Sequence, residues 1–304
     1  MEITSFKQLV EFQDNLPKNP AGEFKFKWIF RGDKYNENPK EDDSLKTTLE
    51  KAFEQFGVEN SDKLRAEKDI IREFQRKIHH YTSNIPPRAD IQQWLALMQH
   101  HGAPTRLLDW TYSFWVAVHF AIMRLKPGQK AIVWAVNGQA ILPHQKKCSQ
   151  LKEVKNIRNT MEKNRDLPYC DADGISDNAL VHYLIQNDKP EPAVYALTSF
   201  RLNQRITIQQ GTFLITGDIT QSFRNNLFAD KYPDMKTKNV QSAVIDINKK
   251  KLKVDIAKKL RDMNINNAVL FPGLEGFSES LWTRVGLALE DKLWNKEKDL
   301  TLYP

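Results

Sequence analysis

The sequence predicts an α+β chain, with a mixed or antiparallel central sheet and a helical N-terminal part. Three observations carry this. Helix-like segments, with apolar residues three and four apart, fill the early part of the chain. Strand-like segments rich in Val, Ile, Thr and aromatics come mostly after residue 130. The chain has 304 residues, 40% of them apolar, and neither an internal repeat nor a low-complexity linker, so one large core and a single domain over 1–304 are expected.

Residues 1–16 read as a short amphipathic helix with Thr4 or Ser5 as its cap, ended by Pro17, Pro20 and Gly22. Phe24, Phe26 and Trp28 alternate with Lys25 and Lys27, the period of a half-buried strand, which delivers Arg31 and Gly32 at its end. Glycine there lets another backbone or a ligand approach closely. Residues 44–57 and 62–81 read as helices, and Glu67 shares a face with Phe74, which turns its carboxyl inward. A helix over 91–98 leads into the stretch Gln99 to Thr111. Residues 112–123 are too long and alanine-rich for a strand and read as a buried helix; 130–136 is a buried strand.

Residues 139–192 are polar and short of pattern, and read as a variable, solvated insertion. Its Asp171, Asp173, Gly174 and Asp177 lack the spacing and closing glutamate of a calcium loop. Beyond it, strands are expected over 193–198, 205–215 (with Gly211 inside), 240–247 and 268–271, and helices over 253–263 and 274–289.

The stretch Gln99–Thr111 concentrates the polar chemistry. It holds two histidines, an arginine, an aspartate, two threonines and a Gly-x-Pro turn, and runs straight into apolar sequence. A charge carried into an interior needs a partner, since an isolated buried ion costs several kcal/mol. Arg106 and Asp109 are the expected pair, which would clamp the turn and suit Asp109 to electrostatic stabilisation more than to general base work.

The net charge is +7, with short clusters at Lys146–Lys147, Lys249–Lys251 and Lys258–Lys259, a balance that favours polyanions such as nucleic acid. Cys148 and Cys170 make neither a disulfide framework nor a zinc site, and His100-His101 lacks zincin spacing, so no metal is expected. No secretion signal and no apolar run of the roughly 20 residues a membrane helix needs is present, which leaves a cytoplasmic location without membrane contact as the expectation. Walker, nucleophile-elbow and dinucleotide fingerprints are absent.

Four motifs, Trp28-Ile29-Phe30-Arg31-Gly32, Gln99-His100-His101-Gly102 through Trp110-Thr111, Arg205-x-x-x-Gln209-Gln210-Gly211-x-Phe213 and Leu270-Phe271-Pro272-Gly273-Leu274, together resemble those of the FRG domain family, in order over a core of 24–280. Their order is similar, more distantly, to that of the ADP-ribosyltransferase fold. That second likeness implies NAD as substrate, with Arg31 and Gly32 holding the dinucleotide, Thr105, Arg106 and Thr111 beside it, and Arg31, His101, Asp109 and Gln209 at the reacting end. In that fold the third motif ends in a catalytic glutamate on a strand; here Gly211 stands in its place, so another acid is required, with Asp109, Glu275 and Glu279 as candidates. The resemblance implies a transferase acting on nucleic acid, single-stranded RNA first, as a bacterial toxin or anti-phage effector with a neutralising antitoxin protein. Two rivals remain: a non-enzymatic nucleic-acid- or protein-binding module, and a metal-independent nuclease using His100 or His101.

Overall fold

The element that organises the interior is a seven-stranded mixed sheet, seen in a computed structural model that describes residues 1–17, 28–38, 43–123, 125–126, 128–163, 177–197, 204–230, 238–247 and 250–288. In chain order the elements are β1 (Glu2–Ile3), α1 (Phe6–Asp14), β2 (Trp28–Tyr35), α2 (Thr48–Phe56), α3 (Asn60–Lys77), α4 (Ile91–His100), β3 (Leu107–Thr111), α5 (Phe114–Met123) and β4 (Lys130–Asn137). There follow α6 (Gly138–Ser149), α7 (Lys152–Lys163), α8 (Asp177–Gln186), β5 (Val194–Leu197), α9 (Gln204–Ile208), β6 (Gly211–Thr216), α10 (Phe223–Leu227), β7 (Val240–Asp246), α11 (Lys250–Asp262), α12 (Asn267–Leu270) and α13 (Leu274–Ala288). The class is α+β. Phe24 to Lys27 lie outside the described residues.

The strands lie in the order β1-β7-β4-β2-β3-β6-β5, and only β1 runs parallel to its neighbour. Alternation along β4 sorts the two faces. Ala131, Val133 and Ala135 join a core with α1, α5 and α11; Ile132, Trp134 and Val136 join another with α4, α6 and α8. Pairing is uneven. β2 and β4 match over their whole length, and β3 and β6 likewise. Between β2 and β3 the ladder has a single bridge, Phe30 opposite Thr111. The sheet is therefore two blocks hinged at one point, and the backbone groups beyond it need other partners.

Gly32 follows from this packing. A Cβ built there would lie 1.8 Å from the carbonyl oxygen of Ala117, so α5 crosses β2 at a distance that only glycine permits. The Gly-x-Pro turn is also explained. His101 ends α4 and Gly102 takes a left-handed φ of 77°, which turns the chain toward β3.

Four expectations are corrected. First, Arg106 does not pair with Asp109. Its Nε donates to Glu67 at 2.6 Å and its Nη2 to the other carboxylate oxygen of Glu67, while Nη1 donates to the carbonyls of Leu184, Thr216 and Gly217. Both side chains are 1% exposed. The inward face of α3 supplies the partner, because Asp109, three residues on, leaves the strand toward solvent. Second, 139–192 is no solvated insertion. Ile141, Cys148, Leu180, Val181, Leu184 and Ile185 are buried in the main core, and Val154, Met161 and Ala179 form a satellite cluster. Their spacing is helical but diluted by charges. Residues 164–176, with Asp171, Asp173 and Gly174, lie outside the described residues.

Third, 205–215 is not one strand. Gln204–Ile208 is helical, Gln210 takes a left-handed φ of 49°, and the strand begins at Gly211. The run Ile206-Thr207-Ile208 imitates a strand, but the turn is captured by β3: Thr111 Oγ1 donates to the Gln209 carbonyl at 2.7 Å and Tyr112 N–H to that of Gln210 at 2.9 Å. Fourth, 268–270 is helical rather than extended, since the Asn266 side chain caps α12 by accepting from the N–H of Val269, and the helix ends before Phe271.

The buried pair gives a stability prediction. Glu67→Gln leaves a guanidinium without a counter-charge, and Arg106→Met leaves a carboxylate and three carbonyls without a donor. Each is expected to cost about 3–5 kcal/mol in urea unfolding. Arg106→Lys should not recover the loss, since an ammonium cannot make the two-pronged contact.

Acid sensitivity follows from two other buried groups. Burial lowers the pKa of His119, against a hydrogen bond with Asn267 that raises it; burial also lowers His182, whose Nε2 donates to the Ala89 carbonyl at 2.7 Å. A histidine kept neutral in this way adds stability above its unfolded pKa of about 6.5, and that stability is lost as pH falls toward its folded value. Thermal midpoints should therefore drop below pH 6.5, and less steeply in His119→Gln.

Candidate functional site

The hinge between the two sheet blocks opens a cavity of about 410 Å³. That is a size typical of small-ligand sites. Its walls come from both helical layers, α4 on one side and α5, α12 and α13 on the other, with α9 across β3 and β6.

Arg31 spans the gap that the missing ladder leaves. Its Nη1 donates to the carbonyl of Asp109 at 3.1 Å, its Nε to that of Ser44 at 2.8 Å, and its Nη2 to Asp33 at 2.7 Å. These contacts take three of the five guanidinium N–H groups, so two remain for a ligand. Asp109 is exposed, and its carboxylate accepts from Gln99 Nε2 at 2.7 Å. The Gln99 amide is set by Thr105, whose hydroxyl donates to it at 2.6 Å. Thr105 is itself pinned to α2, with its N–H donating to Thr48 Oγ1 and its carbonyl accepting from Leu49. Thr105, Gln99 and Asp109 thus form one line of hydrogen bonds from the interior to the cavity.

On the far side Arg205 lies over the ring of Phe271, 4.5 Å from its centre. Among the described residues it makes no hydrogen bond or ion pair. Phe120 meets Phe271 edge to face at 6.0 Å, giving the cavity an aromatic corner. His100 also lines it; burial lowers its pKa first, and the nearby His101 and Arg205 lower it further, so it is neutral at pH 7. Gln209 donates its amide to the Leu270 carbonyl at 2.9 Å, tying α9 to α12. Asn267 and Glu279 complete this wall, 3.0 Å apart from amide nitrogen to carboxylate.

Of the residues singled out from sequence, Arg31, Gly32, Asp109, Thr111 and Gln209 line this one cavity. Thr105, Arg106 and His101 do not. Thr105 acts through Gln99, and Arg106 is sealed with Glu67. His101 is exposed at the end of α4, its ring 4.9 Å from that of His100. Gln209 sits on a turn and not within a strand, which removes the basis for reading Gln209-Gln210-Gly211 as a strand-borne catalytic segment. Sequence reasoning missed Gln99 and Asn267 as parts of the site. Gln99 had a signal, standing at the head of the polar stretch before the turn; Asn267 had none, because its partners, His119 and Glu279, are brought by two other helices.

Among the described residues there is no group of three or more His, Cys, Asp and Glu side chains placed to hold a metal ion, and no helix long and apolar enough to cross a membrane. No curated protein and no solved structure matches the chain. One family does match, over residues 26–130, about a third of the chain. That span carries β2, the Gln99–Thr111 stretch and α5, hence Arg31, Gly32, Asp109 and Phe120, while Arg205, Gln209, Phe271 and Glu279 come from beyond it. Residues 26–130 of this chain match the family model of the FRG domain.

Proposed function

We propose that this cavity is the site of an ADP-ribosyl transfer, with NAD as substrate and nucleic acid, single-stranded RNA first, as acceptor. The observation that carries the reading is the pairing of two available guanidiniums with an aromatic corner in one hollow. Arg31 keeps two N–H groups, and among the described residues Arg205 makes no hydrogen bond or ion pair, only its contact with the Phe271 ring. Guanidinium groups match the oxygens of a diphosphate in geometry and charge. The edge of Phe120 and Phe271 suits a planar nicotinamide ring.

The reaction breaks the bond between the ribose and nicotinamide, and positive charge builds on the ribose. Carboxylates fixed nearby stabilise that charge more than they stabilise the bound substrate. Asp109 and Glu279 are the two whose residues line the cavity. The acceptor reading rests on charge: the chain carries +7, with exposed lysines at Lys146, Lys147 and Lys259. Phosphate contacts of that kind weaken as salt rises. Lys249 and the side chains of Lys250 and Lys251 lie outside the described residues. Modification of a cell's own RNA is toxic, which gives the chain the part of a toxin or anti-phage effector and calls for a neutralising protein.

Incubation with NAD labelled in the adenylate phosphate and with total RNA tests the reading. Label should enter RNA, and Arg205→Ala should lower the rate at least about tenfold, as the loss of one charge-assisted contact does, with an unchanged thermal midpoint. Binding of RNA without NAD turnover, in wild type and variant alike, would leave a binding module; strand scission without NAD would leave a nuclease.

A further inference from the structure

The transferase reading leaves one catalytic part without an owner. Where the resemblance expects a glutamate the chain has Gly211, so the carboxylate must come from elsewhere. Asp109 and Glu279 both reach the lining, but they are held in different ways. The Asp109 carboxylate accepts from Gln99, and its own carbonyl accepts from Arg31, so a guanidinium stands beside it. Glu279 projects from α13 at the neck where this cavity meets a second one of about 580 Å³; Met123, Asn267 and Glu279 line both.

What sets Glu279 apart is the line of groups behind it. The amide nitrogen of Asn267 donates to the Glu279 carboxylate at 3.0 Å, and the amide oxygen accepts from His119 Nε2 at 2.8 Å. Asn267 is 6% exposed and His119 is 3% exposed. The Glu279 carboxylate only accepts, so the amide nitrogen of Asn267 faces it and the amide oxygen faces His119, whose Nε2 then carries the proton. A reversed amide would set oxygen against carboxylate, so the amide has one orientation and its donor points at Glu279. The three residues come from α5, α12 and α13, so the line of hydrogen bonds runs across three helices to this rim.

We propose that Glu279 is the catalytic carboxylate of the transferase site, and that Asn267 and His119 are its positioning residues. This rests on the reading of the cavity as an NAD site. In the step, the bond between ribose C1′ and the nicotinamide nitrogen breaks, and its electron pair stays on that nitrogen, which gives neutral nicotinamide. A lone pair of the acceptor forms the new bond to C1′. The acceptor's proton passes to the Glu279 carboxylate and from there to water. Before that transfer the same carboxylate faces the positive charge at C1′.

The test measures NAD turnover and, separately, NAD affinity on the full chain for wild type, Glu279→Gln, Asp109→Asn, Asn267→Ser and His119→Gln. Glu279→Gln should lower kcat by about 100-fold or more, in the range seen when one electrostatic stabiliser of a transition state is removed. Its Kd for NAD should stay within about threefold and its thermal midpoint should not move, because the side chain is at the exposed rim. Asn267→Ser should lower kcat about tenfold with KM unchanged, whereas His119→Gln, which still offers an N–H to Asn267, should stay within about threefold of wild type. An active wild type with an equally active Glu279→Gln overturns the assignment and leaves the NAD reading standing, the more so if Asp109→Asn is the variant that fails. A Glu279→Gln that loses affinity rather than kcat overturns it too. A wild type that neither binds nor consumes NAD removes both.

Discussion

Glu67 and Arg106 meet where neither charge could stand alone. Each is 1% exposed, and the guanidinium satisfies its remaining donors on three backbone carbonyls. This contact joins α3, the entry to β3, the end of α8 and the end of β6 in one place. It therefore sets where β3 enters the sheet, and with it the position of every residue from Thr105 to Thr111. The pair is not a device for stability as such, since an apolar replacement of the same shape can equal it. Its effect here is positional: a bidentate ion pair with satisfied surroundings allows one arrangement of the four elements.

The hollow follows from that placement. β3 is held to β6 along its length and to β2 at one bridge only. A strand pinned on one side and loosely joined on the other opens a seam, and Arg31 crosses the seam with a side chain instead of a ladder. α5 cannot fill the space from below, because it already rests against Gly32 at the closest approach a backbone permits. The seam is lined by what remains: the inner end of α4, the turn before β6, the short helix α12 and the longer α13. The segment 26–130 that matches the FRG domain model contributes β2, α4, β3 and α5 to the lining, and residues from Arg205 onward contribute the rest.

Much of this was legible in the sequence. A buried apolar run located β4, the run Val240 to Ile247 located β7, and the alanine-rich run located α5. The motif stretch announced buried charge, and Glu67 was recognisable as an inward carboxylate from its register with Phe74. What the pattern could not supply was the pairing: Arg106 had two carboxylates within plausible reach, and only the tertiary path of α3 decides for Glu67. The same reason hid the core role of α6, whose apolar positions are outnumbered by polar neighbours, and of α8, whose apolar run Ala179 to Ile185 follows a long polar stretch. It also hid the break at Gln210, where β-branched residues favour a strand locally but hydrogen bonds to β3 impose a turn. Asn267 was out of reach for a simpler reason, since its partners lie 148 and 12 residues away along the chain.

Arg31 and Arg205 both line the hollow, and on the proposed reading their guanidiniums hold a diphosphate-linked nucleotide there. Crystals of the protein grown with ADP-ribose at saturating concentration test it most directly. Diphosphate density is expected within hydrogen-bond distance of both guanidiniums, with the ribose end toward Phe120 and Phe271. An empty hollow under those conditions, or ligand density confined to another surface, would contradict it.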